Sequence, residues 1–164
     1  MSDAIPSPLD LHRETVRPEW IDYNGHMNVA FYVLAFDHAT DAVFEYLGIG
    51  EDYRSRTGCT LFALELHVLY KAELTEGAPL RVTTQILGAD EKRLHFFHRM
   101  YHAETGIEAA CYEIMGLNVD MTERKARPFP PAARERIRAV AAAHAALSRP
   151  KEAGRAIGLA ARRS

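Results

Sequence analysis

Three polar side chains that could activate a water molecule stand at alternate positions near the beginning of the chain. Asp22, Asn24 and His26 belong to the string Asp-Tyr-Asn-Gly-His-Met-Asn, and in an extended segment alternate side chains point the same way. A carboxylate beside an imidazole and an amide can serve as a general base or as an oriented nucleophile. Each residue alone would more often stabilise a loop turn, but together they predict a hydrolytic site.

The residues after this motif predict the helix that positions it. Residues 29–47 contain neither glycine nor proline, and apolar residues such as Leu34, Ala35 and Val43 recur at helical spacing. Asn28 is a suitable N-cap, and Gly48 is suited to end the helix. Since the first amides of a helix lack intrahelical acceptors, we expect the N–H groups near Asn28 and Val29 to bind an oxyanion.

The remaining chain predicts an antiparallel sheet and a second helix. Alternating or β-rich segments predict strands at 9–16, 60–70, 80–87, 92–103 and 108–120, and an alanine-rich segment predicts a helix at 131–147. The fold class is therefore α+β, a single domain with the sheet wrapped around one long helix and an extra C-terminal helix. The expected divisions are a flexible N-terminus at 1–8, the domain at 9–130, and a C-terminal helix and tail at 131–164.

Composition excludes several classes of function. The 164 residues are enough for one domain, and the net charge of −2 gives no general attraction to nucleic acid or to an anionic membrane surface. No apolar run is long enough for a membrane span or typical of a signal peptide. Cys59 and Cys111 lack metal-ligand spacing, so we expect reduced thiols in a cytoplasmic protein.

The histidines of the predicted strands form the main alternative kind of site. His67, His95, His98 and His102 occur on two strands, but no cysteine or aspartate is placed to complete a tetrahedral set. We therefore expect no metal and no cofactor. Lys92 and Arg93 follow a turn, where they would either face water or meet the phosphates of a bound nucleotide-like group.

The motif resembles that of a known family. Asp22-x-Asn24-x-His26-x-Asn28 looks like the motif of plant acyl-ACP thioesterases and of related bacterial thioesterases with the hotdog fold. The interval from Asp22 to Tyr32 resembles that of the 4-hydroxybenzoyl-CoA thioesterase group. The resemblance implies a hotdog domain that hydrolyses acyl-CoA, with Asp22 as the catalytic carboxylate and Asn24 and His26 as its polar partners.

Further matches extend the resemblance and what it implies. Glu65, preceded by leucine in a strand, is similar to a second acidic site residue of the plant enzymes. The strings at Asp37–Ala42, Glu65–Tyr70 and Asp90–His102 look like those of the betainyl-CoA thioesterases of bacterial carnitine breakdown. This narrower resemblance implies a short acyl group with a quaternary ammonium head, and aromatic residues such as Tyr32 would line its pocket.

Two other functions remain open from the sequence. A hotdog enoyl-CoA hydratase would use similar residues, although its motif has a proline and places the histidine one position later than His26. A non-catalytic acyl-CoA-binding protein would keep the fold without hydrolysis, but it gains nothing evident from Asp22 and Glu65. In each case we expect self-association as a homodimer or a dimer of dimers, because a small curled sheet leaves an exposed edge.

Overall fold

A computed structural model describes residues 4–159, in which a curled antiparallel sheet surrounds one long helix. The elements are β1 (Leu9–Thr15), a 3-10 turn (Pro18–Trp20), α1 (Val29–Leu47), α2 (Glu51–Thr57), β2 (Cys59–Tyr70), β3 (Pro79–Ala89), β4 (Arg93–His102), β5 (Glu108–Asp120), β6 (Lys125–Ala126) and α3 (Pro131–His144). The main strand order is β1-β3-β4-β5-β2, and β6 pairs with β5. The predicted α+β arrangement is confirmed. Residues 1–3 of the predicted N-terminal segment and the basic end 160–164 lie outside the described residues.

Local signals at both ends determine the length of α1. The Asn28 side chain accepts a hydrogen bond from the Ala30 N–H, and Gly48 ends the helix in the left-handed conformation with φ 75°. Leu34, expected on the buried stripe, is partly exposed, whereas Phe36 is fully buried and stacks on Tyr112 at 5.0 Å. The buried face of α1 is therefore the one that carries Phe36, and Leu34 lies outside it.

The β2 strand lies at the end of the strand order and pairs with β5 alone among the described strands. A bulge at residue 64 interrupts this pairing. The apolar side chains of Leu64 and Leu66 are 56% and 45% exposed. One edge of the sheet therefore presents unpaired backbone groups beside exposed apolar side chains.

Two segments are more ordered than the sequence indicated. The segment between α1 and β2, for which the sequence predicted no regular element, contains α2, whose seven residues are too few for helical periodicity to be detected. After α3, Glu152 is buried and accepts hydrogen bonds from Lys71 at 2.6 Å and Arg99 at 3.2 Å. Two cations thus hold this C-terminal turn against the sheet.

No helix in residues 4–159 is long and apolar enough to cross a membrane.

Candidate active site

A tight loop holds the motif residues immediately before α1. The Gly25 N–H donates to the Asp22 carbonyl at 2.9 Å, and the Asp22 N–H donates to the His26 carbonyl at 3.0 Å. Gly25 has φ 80°, a conformation that strains other residues. The Met27 N–H donates to the Leu74 carbonyl at 2.8 Å, which ties the loop to the chain that follows β2. The loop is therefore anchored on a second part of the fold.

The Asp22 carboxylate is oriented by two donors from its own segment. Oδ1 accepts a hydrogen bond from the Asn24 backbone N–H at 2.8 Å, and Oδ2 accepts one from the Asn28 side-chain amide at 3.4 Å. The side chain is half-buried and borders a cleft of about 600 Å³. This cleft also contains Asn24 and His26. The structure therefore brings together the three motif residues that the sequence predicted.

Glu73 is the residue that sequence reasoning missed. Its carboxylate lies 3.1 Å from His26 Nε2, and it lines the same cleft as Asp22. Glu73 follows the end of β2 in an irregular segment, so no strand alternation indicated its direction. The only sequence signal was an acidic residue close to the end of a strand.

Glu65, the acidic residue singled out from the sequence, is placed differently. It is exposed on β2 and borders a separate cavity of about 390 Å³ on the face of the sheet that carries His95 and Glu113. Within one chain it therefore does not share the cleft with Asp22. Glu65 lies on the opposite face of β2 from Tyr70, which lines the Asp22 cleft, and five residues before it along the strand.

The first amides of α1 are not equally available. The Asn28 N–H donates to the Trp20 carbonyl at 2.9 Å, and the Ala30 N–H donates to the Asn28 side chain at 3.0 Å. No described residue accepts a hydrogen bond from the Val29 N–H, and Val29 lines the cleft. Of the two predicted amide donors, Val29 is therefore the one free to bind an oxyanion.

Two tyrosines form an aromatic wall of the cleft. The Tyr32 hydroxyl donates to the Ala72 carbonyl at 3.1 Å, and the Tyr70 hydroxyl donates to the Val29 carbonyl at 3.2 Å. Their rings meet edge to face with 5.2 Å between centroids. Burial raises the pKa of both phenols, so both are neutral near pH 7. Because Tyr32 is 4% exposed and Tyr70 is 47% exposed, Tyr70 offers the more accessible ring.

The predicted basic residues lie away from the cleft within one chain. Arg93 begins β4 opposite Leu117, whereas the cleft residue Tyr70 pairs with Ala110 near the other end of β5. The Asp90 carboxylate accepts hydrogen bonds from the backbone N–H groups of Lys92 and Arg93. Lys71 is instead the cation that borders the cleft.

The histidines considered as metal ligands from the sequence do not lie together in one site. His98 is fully buried, where Thr40 and Thr84 hydroxyls lie 2.9 and 2.8 Å from its two ring nitrogens. Burial lowers the pKa of His98 to about 3, so it is a neutral core residue. His95 faces the other side of the sheet and lies 2.7 Å from Glu113.

Comparison with known proteins identifies similar chains. Residues 16–137 match the family model described as the thioesterase-like superfamily. A betainyl-CoA thioesterase of Pseudomonas aeruginosa is 42% identical over 92% of this chain and 95% of its own length. An L-carnitine dehydrogenase/betainyl-CoA thioesterase of a Rhizobium species is 38% identical over 92% of this chain, which spans only 30% of that longer relative.

The structure also resembles a solved one. A Staphylococcus aureus protein in complex with CoA superposes with a TM-score of 0.86 and 29% identity, over 97% of this chain and 100% of the other.

Proposed function

Since the chain belongs to the thioesterase-like superfamily and is a thioester hydrolase, we propose that its substrate is betainyl-CoA, which it hydrolyses to betaine and CoA. The observation that supports this substrate best is the 42% identity with a betainyl-CoA thioesterase along nearly the whole of both chains. Binding of the CoA part is supported by the similarity to a structure solved with CoA.

The cleft can supply the two groups that thioester hydrolysis requires. Asp22 acts as a general base toward water or as a nucleophile toward the carbonyl carbon, with its carboxylate oriented by Asn24 and Asn28. The Val29 N–H at the positive end of α1 stabilises the oxyanion that forms on the carbonyl oxygen. The CoA thiolate then leaves with little acid assistance. His26, held by Glu73, orients the attacking group or its proton.

The same cleft suits the acyl group of betainyl-CoA. Its trimethylammonium group is attached to the carbon next to the thioester carbonyl, so the cation must lie close to the reacting atoms. A quaternary ammonium has no N–H group to donate to a hydrogen bond, and it is bound by aromatic faces and by carboxylates. Tyr70 offers the face, and Asp22 and Glu73 supply negative charge in the cleft.

The substrate proposal predicts a preference for the charged acyl group over its neutral isostere. We expect kcat/KM for betainyl-CoA to exceed that for 3,3-dimethylbutyryl-CoA by about two- to fivefold, because a cation–aromatic contact at a partly exposed ring contributes about 0.5–1 kcal/mol. Release of free CoA thiol from both substrates measures the ratio. Tyr70→Leu should lower this ratio while the neutral substrate is still hydrolysed.

The outcomes of this assay separate the competing functions. Equal or faster hydrolysis of the neutral isostere would contradict the betainyl assignment and leave the thioesterase function in place. Hydration of an enoyl-CoA without thiol release would indicate the hydratase, and saturable binding of acyl-CoA without turnover would indicate a non-catalytic binder. Thiol release is therefore the measurement to make first.

The exposed β2 edge supports self-association as a homodimer or as a dimer of dimers. Pairing of two β2 strands would satisfy the backbone groups and cover Leu64 and Leu66. It would also bring Glu65 of one subunit toward elements of its partner.

We propose a cytoplasmic location, in keeping with the two free cysteines and a CoA substrate.

The dimer proposal predicts a mass in solution of at least twice 18.4 kDa at micromolar concentration. Light scattering after size-exclusion chromatography measures this mass. Leu66→Lys should yield monomers, because it buries an unpaired charge at the proposed interface. Ile107→Lys, an equally drastic change at an exposed residue between β4 and β5, serves as the control. A fully active wild-type monomer would contradict the proposal.

A further inference from the structure

A cluster of two histidines and one glutamate lies outside the cleft. His12 and Glu14 are alternate residues of β1 and share the half-buried face of that strand, while His38 comes from α1. His12 Nε2 lies 2.9 Å and His38 Nδ1 lies 3.2 Å from Glu14 Oε1. None of the three residues lines the cleft that holds Asp22.

The geometry of the cluster resembles that of a metal-ligand set. One donor atom from each of the three residues lies within 4.8 Å of the other two. In a tetrahedral zinc site with bonds of roughly 2.0–2.2 Å, neighbouring ligand atoms are roughly 3.3–3.5 Å apart, so small side-chain shifts would suffice. The two imidazole rings are inclined by 59°, so they approach the carboxylate from different directions.

The electrostatic surroundings also favour a cation. The side chains of His12 and Glu14 are only 17% and 12% exposed, and no Lys or Arg in residues 4–159 forms an ion pair with Glu14. Within the described part of the chain, Glu14 forms side-chain ion pairs only with the two imidazoles, which can exchange a proton for a metal ion.

We propose that His12, Glu14 and His38 bind a divalent transition metal ion such as Zn²⁺. Two imidazoles and one carboxylate favour Zn²⁺, Co²⁺ or Ni²⁺ over Mg²⁺ or Ca²⁺, which prefer oxygen ligands. Three protein ligands leave at least one position for water. The ion would join the edge strand β1 to the central helix α1, so its principal effect is on stability. Sequence spacing does not indicate this set of ligands, because His12 and His38 come together only when β1 packs on α1.

Titration of the untagged full-length protein with Co²⁺ and then Zn²⁺ tests the site. We expect one Co²⁺ per chain with visible absorption stronger than that of hydrated Co²⁺, displacement by Zn²⁺, and a higher Tm in the presence of Zn²⁺. His38→Gln should weaken binding at least tenfold and remove the Tm increase. His102→Gln, which changes a histidine of β4 outside the cluster, should bind like the wild type.

Two results would overturn the proposal. The first is the absence of saturable binding by the wild type, and the second is equal affinity in His38→Gln and the wild type. If His38→Gln does not fold, as judged by circular dichroism, Glu14→Gln replaces it, since it retains the size of the side chain and removes the ligand charge. Thiol release from acyl-CoA is measured separately, so failure of the metal site leaves the thioesterase assignment unaffected.

Discussion

Asp22→Asn is expected to lower thioesterase kcat by roughly 10²–10⁴-fold, the range for loss of a general acid–base group. Asparagine is nearly isosteric and can still accept the Asn24 N–H through its side-chain oxygen. It would lose only the long 3.4 Å contact with the Asn28 amide, so the cost in stability should be about 1 kcal/mol. Thiol release under saturating substrate measures the loss of turnover, and thermal unfolding measures the stability.

The control for this prediction is the same substitution outside the cleft. Asp52→Asn removes an exposed carboxylate of α2 that pairs with Arg56, and such pairs contribute little to stability. It should leave kcat unchanged. If Asp22→Asn turned over substrate at a rate near that of the wild type, Asp22 would have no catalytic role and another carboxylate would have to activate the water.

Glu73→Gln is expected to lower kcat by up to about fivefold, with a smaller change in KM. The His26 ring lies 3.1 Å from the Glu73 carboxylate, which is 73% exposed, and an ion pair open to solvent contributes about 1 kcal/mol or less. Glutamine keeps the shape of the side chain but loses the charge that orients the imidazole ring. Comparison of kcat and KM for the variant and the wild type tests this positioning role.

Two further variants decide whether the effect belongs to Glu73. Glu76→Gln changes an exposed carboxylate in the same segment after β2 and should behave like the wild type. Glu65→Gln tests the residue chosen from the sequence, and we expect it to have the smaller effect. A larger loss for Glu65→Gln than for Glu73→Gln would assign the role to Glu65, reached across the proposed dimer interface.

The sequence alone determined the elements whose signals are local. The span of α1 followed from a segment without glycine or proline between a capping Asn28 and a terminating Gly48, and its predicted bounds are confirmed. Alternation located the strands because residues of one strand share a face whatever that strand pairs with. The motif before α1 was evident for the same reason, since Asp22, Asn24 and His26 are neighbours along the chain.

Tertiary structure alone decided which distant groups meet. Glu73 lies beside His26, and His12 beside His38, because of how elements far apart in sequence pack, and no local periodicity records that packing. The Asn28 N–H is unavailable because the 3-10 turn brings the Trp20 carbonyl against it. Glu65 is separated from Asp22 because it lies five residues before Tyr70 on β2 and on the opposite face of that strand, whereas Tyr70 lines the Asp22 cleft. A sequence pattern reports which face of an element is buried, whereas a site depends on what that face is buried against.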